Sequence, residues 1–403
     1  MVSKKIKVAL QGSSAIRAMF IEGKAMAEKY GAENVYDFSL GNPATPAPEE
    51  LNQAIIDLVK EGSGCTANAM ELHGYMENAG YPEVRGTIAD NLNQRFGTSF
   101  TSGNIVMTVG AAGGLNIIFK TILDPEDEVM VFAPYFGEYR QYAANFAAHI
   151  VEVQPNTDTF QPDLEDFERK ITNRTKAVIV NTPNNPTGVI YKPETMQAIA
   201  DILEKKQKEF GTDIYLVSDE PYRELVYDGN GEDFLTKYYK NTLVGYSFSK
   251  SLSLPGERIG YVAVPDEAAD AKDILAGLEI ANRTLGFVNA PSLMQKAVAQ
   301  SLNAKTDIVF YDENRRMLYE GLTNLGFHCI KPEGAFYLWV KSPVANEEEF
   351  VNEGKKHHIL MVKGSAFGCP GYVRLAYCVS HETVKNAMPG FEKIAKEYGL
   401  GKE

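Results

Sequence analysis

Residues 242–261 read TLVGYSFSKSLSLPGERIGY. The first six are apolar, small or β-branched, the composition of a strand covered on both faces. They run without a spacer into Ser247, Ser249 and Lys250, followed by Gly256, Arg258 and Gly260. A lysine just past a strand is in most proteins a solvated end. Two hydroxyls and an arginine close to that lysine change its meaning, because together they form a cup for a phosphate, while the amine can condense with an aldehyde.

The same rhythm continues outward. Upstream come NIVMTVG (104–110), the helical AAGGLNIIFKTIL (111–123), EVMVFAP (128–134), a helix through the 140s, HIVEVQ (149–154), TKAVIVN (175–181) and DIYLVS (213–218). Alternating strands and helices predict an α/β fold with a mostly parallel sheet flanked by helices, and ligands in the loops at the carboxyl ends of the strands. The helix at 193–210 has Pro193 at its start and Gly211 past its end, the expected boundary residues. Beyond about residue 290 long helices precede FYLWV (336–340) and YVRLAY (372–377). We therefore expect a large domain over 48–290 and a smaller α+β domain formed by 1–47, an N-terminal arm, and 291–403.

Three further strand-end loops carry chemistry. YLVSDEPYREL supplies Asp219 and Tyr222; a carboxylate beside a pyridine nitrogen keeps that nitrogen protonated, whereas the bland alternative is a helix cap. NTPNNPTG (181–188) supplies Asn185, a hydrogen-bond donor or simply part of a turn. TVGAAGG (108–114) precedes a helix, so the N–H groups of Gly110, Ala111 and Ala112 would meet a phosphate at the positive end of the helix dipole. An aldehyde that bears a phosphate and a pyridine ring is pyridoxal 5′-phosphate.

Composition excludes other classes. With 403 residues and 44% apolar content the chain can bury a large core, and a formal net charge of −13 opposes binding to nucleic acid or anionic lipid. MVSKKIKVALQGSS holds no apolar stretch long enough for a signal peptide, and nowhere do 18 apolar residues run uninterrupted, so a cytoplasmic protein without a membrane span is expected. Cys65, Cys329, Cys369 and Cys378 lack metal-site spacing and read as inert thiols, and His357 and His358 in EGKKHHI read as a solvated helix end; no metal is expected.

Taken in order, LGNP (40–43), Tyr75 ahead of GYPEVRG (80–86), TVGAAGG, APYF (133–136), NTPNNPTG, SDEPY (218–222), SFSK with GERIGY, and YVRLAY resemble the class I aminotransferases, enzymes of the pyridoxal-phosphate fold type I, over roughly residues 35–380. The resemblance, which is aspartate-aminotransferase-like, implies that Lys250 is the Schiff-base lysine and proton shuttle. It pairs Asp219 with the pyridine nitrogen, and Tyr222 and Asn185 with the ring hydroxyl. Phe136 is its ring-stacking aromatic, with neighbouring Tyr135 as the alternative. Gly110, Ala111, Ala112, Ser247, Ser249 and Arg258 become the phosphate cup, and Tyr75 reaches the phosphate of a neighbouring subunit in a homodimer with shared sites. Arg374 becomes the fork for the substrate α-carboxylate, with Gly41 closing over it.

The implied reaction moves an amino group between an L-amino acid and a 2-oxo acid such as 2-oxoglutarate. Aspartate- or glutamate-like substrates need a second cation, for which Arg283 and Arg17 are the candidates. Alanine, aromatic or broad-specificity transamination and a C–S β-lyase activity remain as alternatives. A non-catalytic effector-sensing module is opposed by the presence of Lys250, Asp219 and Arg374 together.

Overall fold

The computed structural model describes residues 2–11, 15–62 and 72–401. A short strand β1 (Tyr36–Asp37) precedes the large sheet, whose strands are β2 (Ile105–Thr108), β3 (Glu128–Phe132), β4 (His149–Val153), β5 (Thr175–Val180), β6 (Tyr215–Glu220), β7 (Thr242–Ser247) and β8 (Gly260–Ala263). Their spatial order is β2-β8-β7-β6-β5-β3-β4. All run parallel except β8, which lies antiparallel to both its neighbours.

The continuous apolar runs exist because helices cover both faces. In β3, Val129 and Val131 join one core with Ile117, Phe119 and Leu278 from helices Gly110–Ile122 and Ala271–Thr284. Met130 and Phe132 of the same strand join another with Met196, Ile199 and Leu203 of helix Pro193–Phe210. Side chains alternate across the strand, and both halves of the alternation are apolar. Helix Pro193–Phe210 has Pro193 in its first turn and Gly211 in the left-handed conformation after its last residue, as the sequence predicts.

The second sheet contains β9 (Cys329–Ile330), β10 (Tyr337–Lys341), β12 (Val362–Lys363) and β13 (Tyr372–Ala376), while β11 (Ile359–Leu360) pairs in parallel with β1. The order β12-β13-β10-β9 is antiparallel and puts β13 inside the sheet rather than at its edge. Helices Ile308–Asn324, Glu347–Lys356 and His381–Glu397 contribute Leu318, Phe350 and Phe391 to a core that also holds Phe38 and Phe336. Helix Ser292–Gln300 packs instead on Glu49–Glu61 and Pro82–Phe96, joining Met294 and Val298 to Leu51 and Ile88.

Cys329, Cys369 and Cys378 are free, and burial pushes each thiol up to about 12; Cys65 lies outside the described residues. His357 and His358 are half-buried rather than solvated: His358 stacks on Tyr30, with ring centroids 4.3 Å apart. Among the described residues no cluster of His, Cys, Asp or Glu could hold a metal, and no helix is long and apolar enough to cross a membrane.

Candidate active site

Strand β8 assembles the first part of the site. It pairs Thr108 of β2 and Ser247 of β7 to the same residue, Gly260, and so brings together three turns that are far apart in sequence. Helix Gly110–Ile122 begins without a side-chain cap, which leaves its first N–H groups as anion donors at the positive helix end. Gly110 has φ 77°, and a Cβ there would come 2.8 Å from Arg258 Nη2. Only glycine accepts that backbone with the guanidinium this close. Arg258 is steadied by the carbonyls of Pro255 at 3.0 Å and Val109 at 3.3 Å. Ser247 Oγ donates to Ser249 Oγ at 2.8 Å and accepts from the Ser249 N–H at 3.2 Å. One cation, two hydroxyls and a helix terminus thus converge.

Lys250 follows in the short helix Phe248–Ser251. Its Nζ donates to the Gly41 carbonyl at 2.6 Å and lies 5.5 Å from the Phe336 ring centroid. Burial lowers its pKa to about 8, assisted by the positive charges of Arg258 and Arg374 and opposed by Cys378. A lysine tuned in this way is a competent nucleophile near neutral pH.

Asp219 lies within β6 and caps no helix. Tyr139 donates to its Oδ2 at 2.5 Å, and Asn181 Nδ2 donates to its backbone carbonyl at 2.9 Å. The other carboxylate oxygen, Oδ1, is buried with no hydrogen-bond partner, and the residue lines the cleft. Burial raises its pKa to about 7, the Tyr139 hydrogen bond opposes this, and the charge of Glu220 adds to it. A buried acid with one unmatched oxygen fits a ligand that presents a protonated ring nitrogen, whose charge would restore the ionised form.

Arg374, only 1% exposed, sits centrally in β13. Nη1 donates to Asn185 Oδ1 at 3.0 Å and Nη2 to the Ser39 carbonyl at 2.5 Å, while Nε is buried without a partner. The guanidinium lies over the rings of Tyr337 and Phe367, 4.5 and 4.9 Å from their centroids. Tyr222 and Tyr337 share a hydroxyl hydrogen bond of 2.8 Å. Phe136 lines the cleft, whereas Tyr135 turns away and donates to Glu152 at 2.7 Å, so of the two aromatics Phe136 is the one available to a flat ring.

These groups surround one cleft of about 720 Å³, the size of a small-molecule site. Gly41, Ala111, Ala112, Phe136, Asn185, Asp219, Tyr222, Ser247, Ser249, Lys250, Arg258 and Arg374 all line it. Tyr75 does not: it is 95% exposed. Arg283 is exposed near the end of helix Ala271–Thr284 and is not among the lining residues, and the side chain of Arg17, in the first turn of helix Ala15–Tyr30, lies outside the described residues. The sequence reading missed Tyr139, Tyr142 and Tyr337, and also Phe20, Ile21 and Lys24 on helix Ala15–Tyr30. Tyr139 falls three residues past APYF, but nothing in the sequence marks it as the partner of Asp219.

A family model described as aminotransferase class I and II matches residues 33–390. The chain is 31% identical to the aspartate/prephenate aminotransferase of Thermus thermophilus over 93% of its length and 94% of the relative, and 30% identical to the aspartate aminotransferase of Thermotoga maritima over 93% and 95%. Among solved structures, an amino transferase from Eubacterium rectale superposes with a TM-score of 0.94 at 48% identity, covering 99% of each chain. The aspartate aminotransferase of Thermus thermophilus with maleate superposes with a TM-score of 0.85 at 28% identity, covering 98% and 99%.

Proposed function

The chain belongs to the class I and II aminotransferases, and from that premise we propose that it is a pyridoxal-phosphate enzyme transferring the amino group of an aspartate- or glutamate-like L-amino acid to a 2-oxo acid such as 2-oxoglutarate. The observation that carries this reading is the pairing, in one cleft, of an amine lowered to about 8 at Lys250 with a buried carboxyl at Asp219 whose Oδ1 lacks a partner. When bound, pyridoxal phosphate supplies an aldehyde for amines and a ring that takes up electrons released at the substrate Cα.

The protein's own residues supply the rest. Lys250 would hold the group's aldehyde through its amine and would move a proton at the substrate Cα. Asp219 would hold a proton on the ring nitrogen, its carboxylate fixed by the Tyr139 hydroxyl. Tyr222 and the amide of Asn185 would serve the ring hydroxyl, and Phe136 would be the aromatic for the ring. Arg258, Ser247, Ser249 and the N–H groups of Gly110, Ala111 and Ala112 bind the phosphate. Arg374, already polarised toward Asn185 and Ser39, offers its remaining fork to the α-carboxylate. The size of the cleft supports room for both cofactor and a small amino acid.

We further propose a homodimer in which Tyr75, exposed in one protomer, serves the partner's site, and a division into a large and a small domain. The packing of helix Ser292–Gln300 on Glu49–Glu61 supports moving the second boundary from 290/291 to just after Gln300.

The test is a substrate assay on purified holoenzyme. Aspartate with 2-oxoglutarate should yield glutamate, and L-cystathionine should release no pyruvate at a comparable rate. Pyruvate from cystathionine without amino transfer would replace this reading with C–S lysis.

A further inference from the structure

Helix Ala15–Tyr30 brings to the cleft a cation that the cofactor set does not use. Phe20, Ile21 and Lys24 form one stripe along this helix and line the cleft together. Three contacts fix the stripe by holding the helix to β1, β11 and the helix Glu347–Lys356 end that leads into β11. At Gly23 a Cβ would come 2.8 Å from Asp37 Oδ2 and 2.9 Å from Leu360 Cδ1, so the backbone approaches β1 and β11 closely. Lys355 Nζ lies 2.9 Å from Glu22 Oε2, and Tyr30 stacks on His358.

Among the described residues, four cations line the cleft: Lys24, Lys250, Arg258 and Arg374. Three are engaged, Lys250 with the Gly41 carbonyl, Arg258 in the phosphate cup and Arg374 with Asn185 and Ser39. Lys24 is exposed, lies 4.8 Å from the Phe20 ring centroid, and forms no ion pair among the described residues. Of the acids lining the cleft, Asp219 is held by Tyr139, and Glu138 sits near Tyr142, whose hydroxyl is pushed up by burial and then by that carboxylate. A substrate anchored at Arg374 has its side chain in this same cleft, where Lys24 is the described cation left to meet a second carboxylate.

We propose that Lys24 is a specificity-determining residue that recognises the distal carboxylate of dicarboxylic amino and 2-oxo acids, supplied by the same chain that supplies Lys250 and Arg374. The inference rests on the aminotransferase reading above and names the side chain behind its substrate preference, a role the sequence had assigned to Arg17 or Arg283. An ammonium on a flexible stem at a solvent-facing rim gives moderate discrimination, because water screens the pair and ordering the stem costs entropy.

The experiment uses wild-type, Lys24→Ala and Lys24→Arg holoenzymes. The kcat/KM for aspartate relative to alanine should fall about tenfold in Lys24→Ala and be largely restored in Lys24→Arg. Succinate binding, followed through the visible absorption of the holoenzyme, should weaken by a similar factor relative to butyrate binding. An unchanged aspartate-to-alanine ratio and unchanged succinate binding in Lys24→Ala, with a wild type that does use aspartate, would overturn the Lys24 assignment alone. A wild type that transfers no amino group from aspartate or glutamate would overturn the substrate reading and the assignment with it.

Discussion

Tyr139 and Asp219 set the acid–base character of the site between them. The carboxyl is buried, accepts a single side-chain hydrogen bond on Oδ2, and is pushed up to about 7 chiefly by loss of water. In protein stripped of cofactor this makes stability depend on pH. The folded chain keeps the Asp219 proton up to about pH 7, whereas the unfolded chain releases it near the ordinary 3.8. The stabilising effect of that proton is fully present below the unfolded value and is lost as pH rises through the folded one. Cofactor-free protein should therefore lose stability between about pH 4 and pH 7, by at most about 1.4 kcal/mol per pH unit from this group. An amide does not titrate, so denaturant melts of Asp219→Asn should lack this component of the slope. Equal slopes in the two proteins would show that Asp219 does not hold the proton.

At the scale of elements, β8 is what brings separate loops together into the proposed phosphate cup. Its antiparallel insertion between β2 and β7 sets the Gly110 turn against Arg258, with φ 77° at Gly110 and no room for a methyl beside the guanidinium. Gly110→Ala would strain the backbone by about 1 kcal/mol and push Arg258 aside, because a flexible side chain yields before the sheet does. The protein should still fold, while its affinity for pyridoxal phosphate in a fluorescence titration drops roughly tenfold or more. Undiminished affinity would mean that Arg258 is not held in the cup by this contact.

At the scale of the whole molecule, Tyr75 presents a ring 95% open to solvent, and the proposed homodimer would place it against a second copy. If its hydroxyl completes the partner's site, Lys250→Ala and Tyr75→Ala homodimers should each be impaired. A hybrid dimer would combine Lys250 from one protomer with Tyr75 from the other and regain one intact site. Co-refolding the two variants should then raise activity above the average of the separate preparations. No gain would show that Tyr75 serves its own protomer or serves packing alone.

The sequence by itself determined which loops matter. Strand runs with both residue parities apolar announce a sheet covered on both sides, and the polar residues that follow them sit where such sheets bind ligands. Lys250, Asp219, Asn185 and Tyr222 were legible for that reason, at or just past the ends of their strand runs, and Arg258 because it shares the Lys250 motif, whereas Arg374, in the middle of β13, was legible only through the family resemblance. Only the tertiary structure decided what touches what between those motifs. Tyr139 meets Asp219 across 80 positions of chain, and Tyr337 meets Tyr222 across 115. The antiparallel course of β8 depends on a pairing that its four residues do not encode locally. Lys24 reads as an ordinary surface lysine until Gly23, Glu22 and Tyr30 dock its helix beside the cleft. Local pattern records which face of an element is apolar, whereas distant contacts are selected by how whole elements pack, and a linear motif carries no trace of that choice.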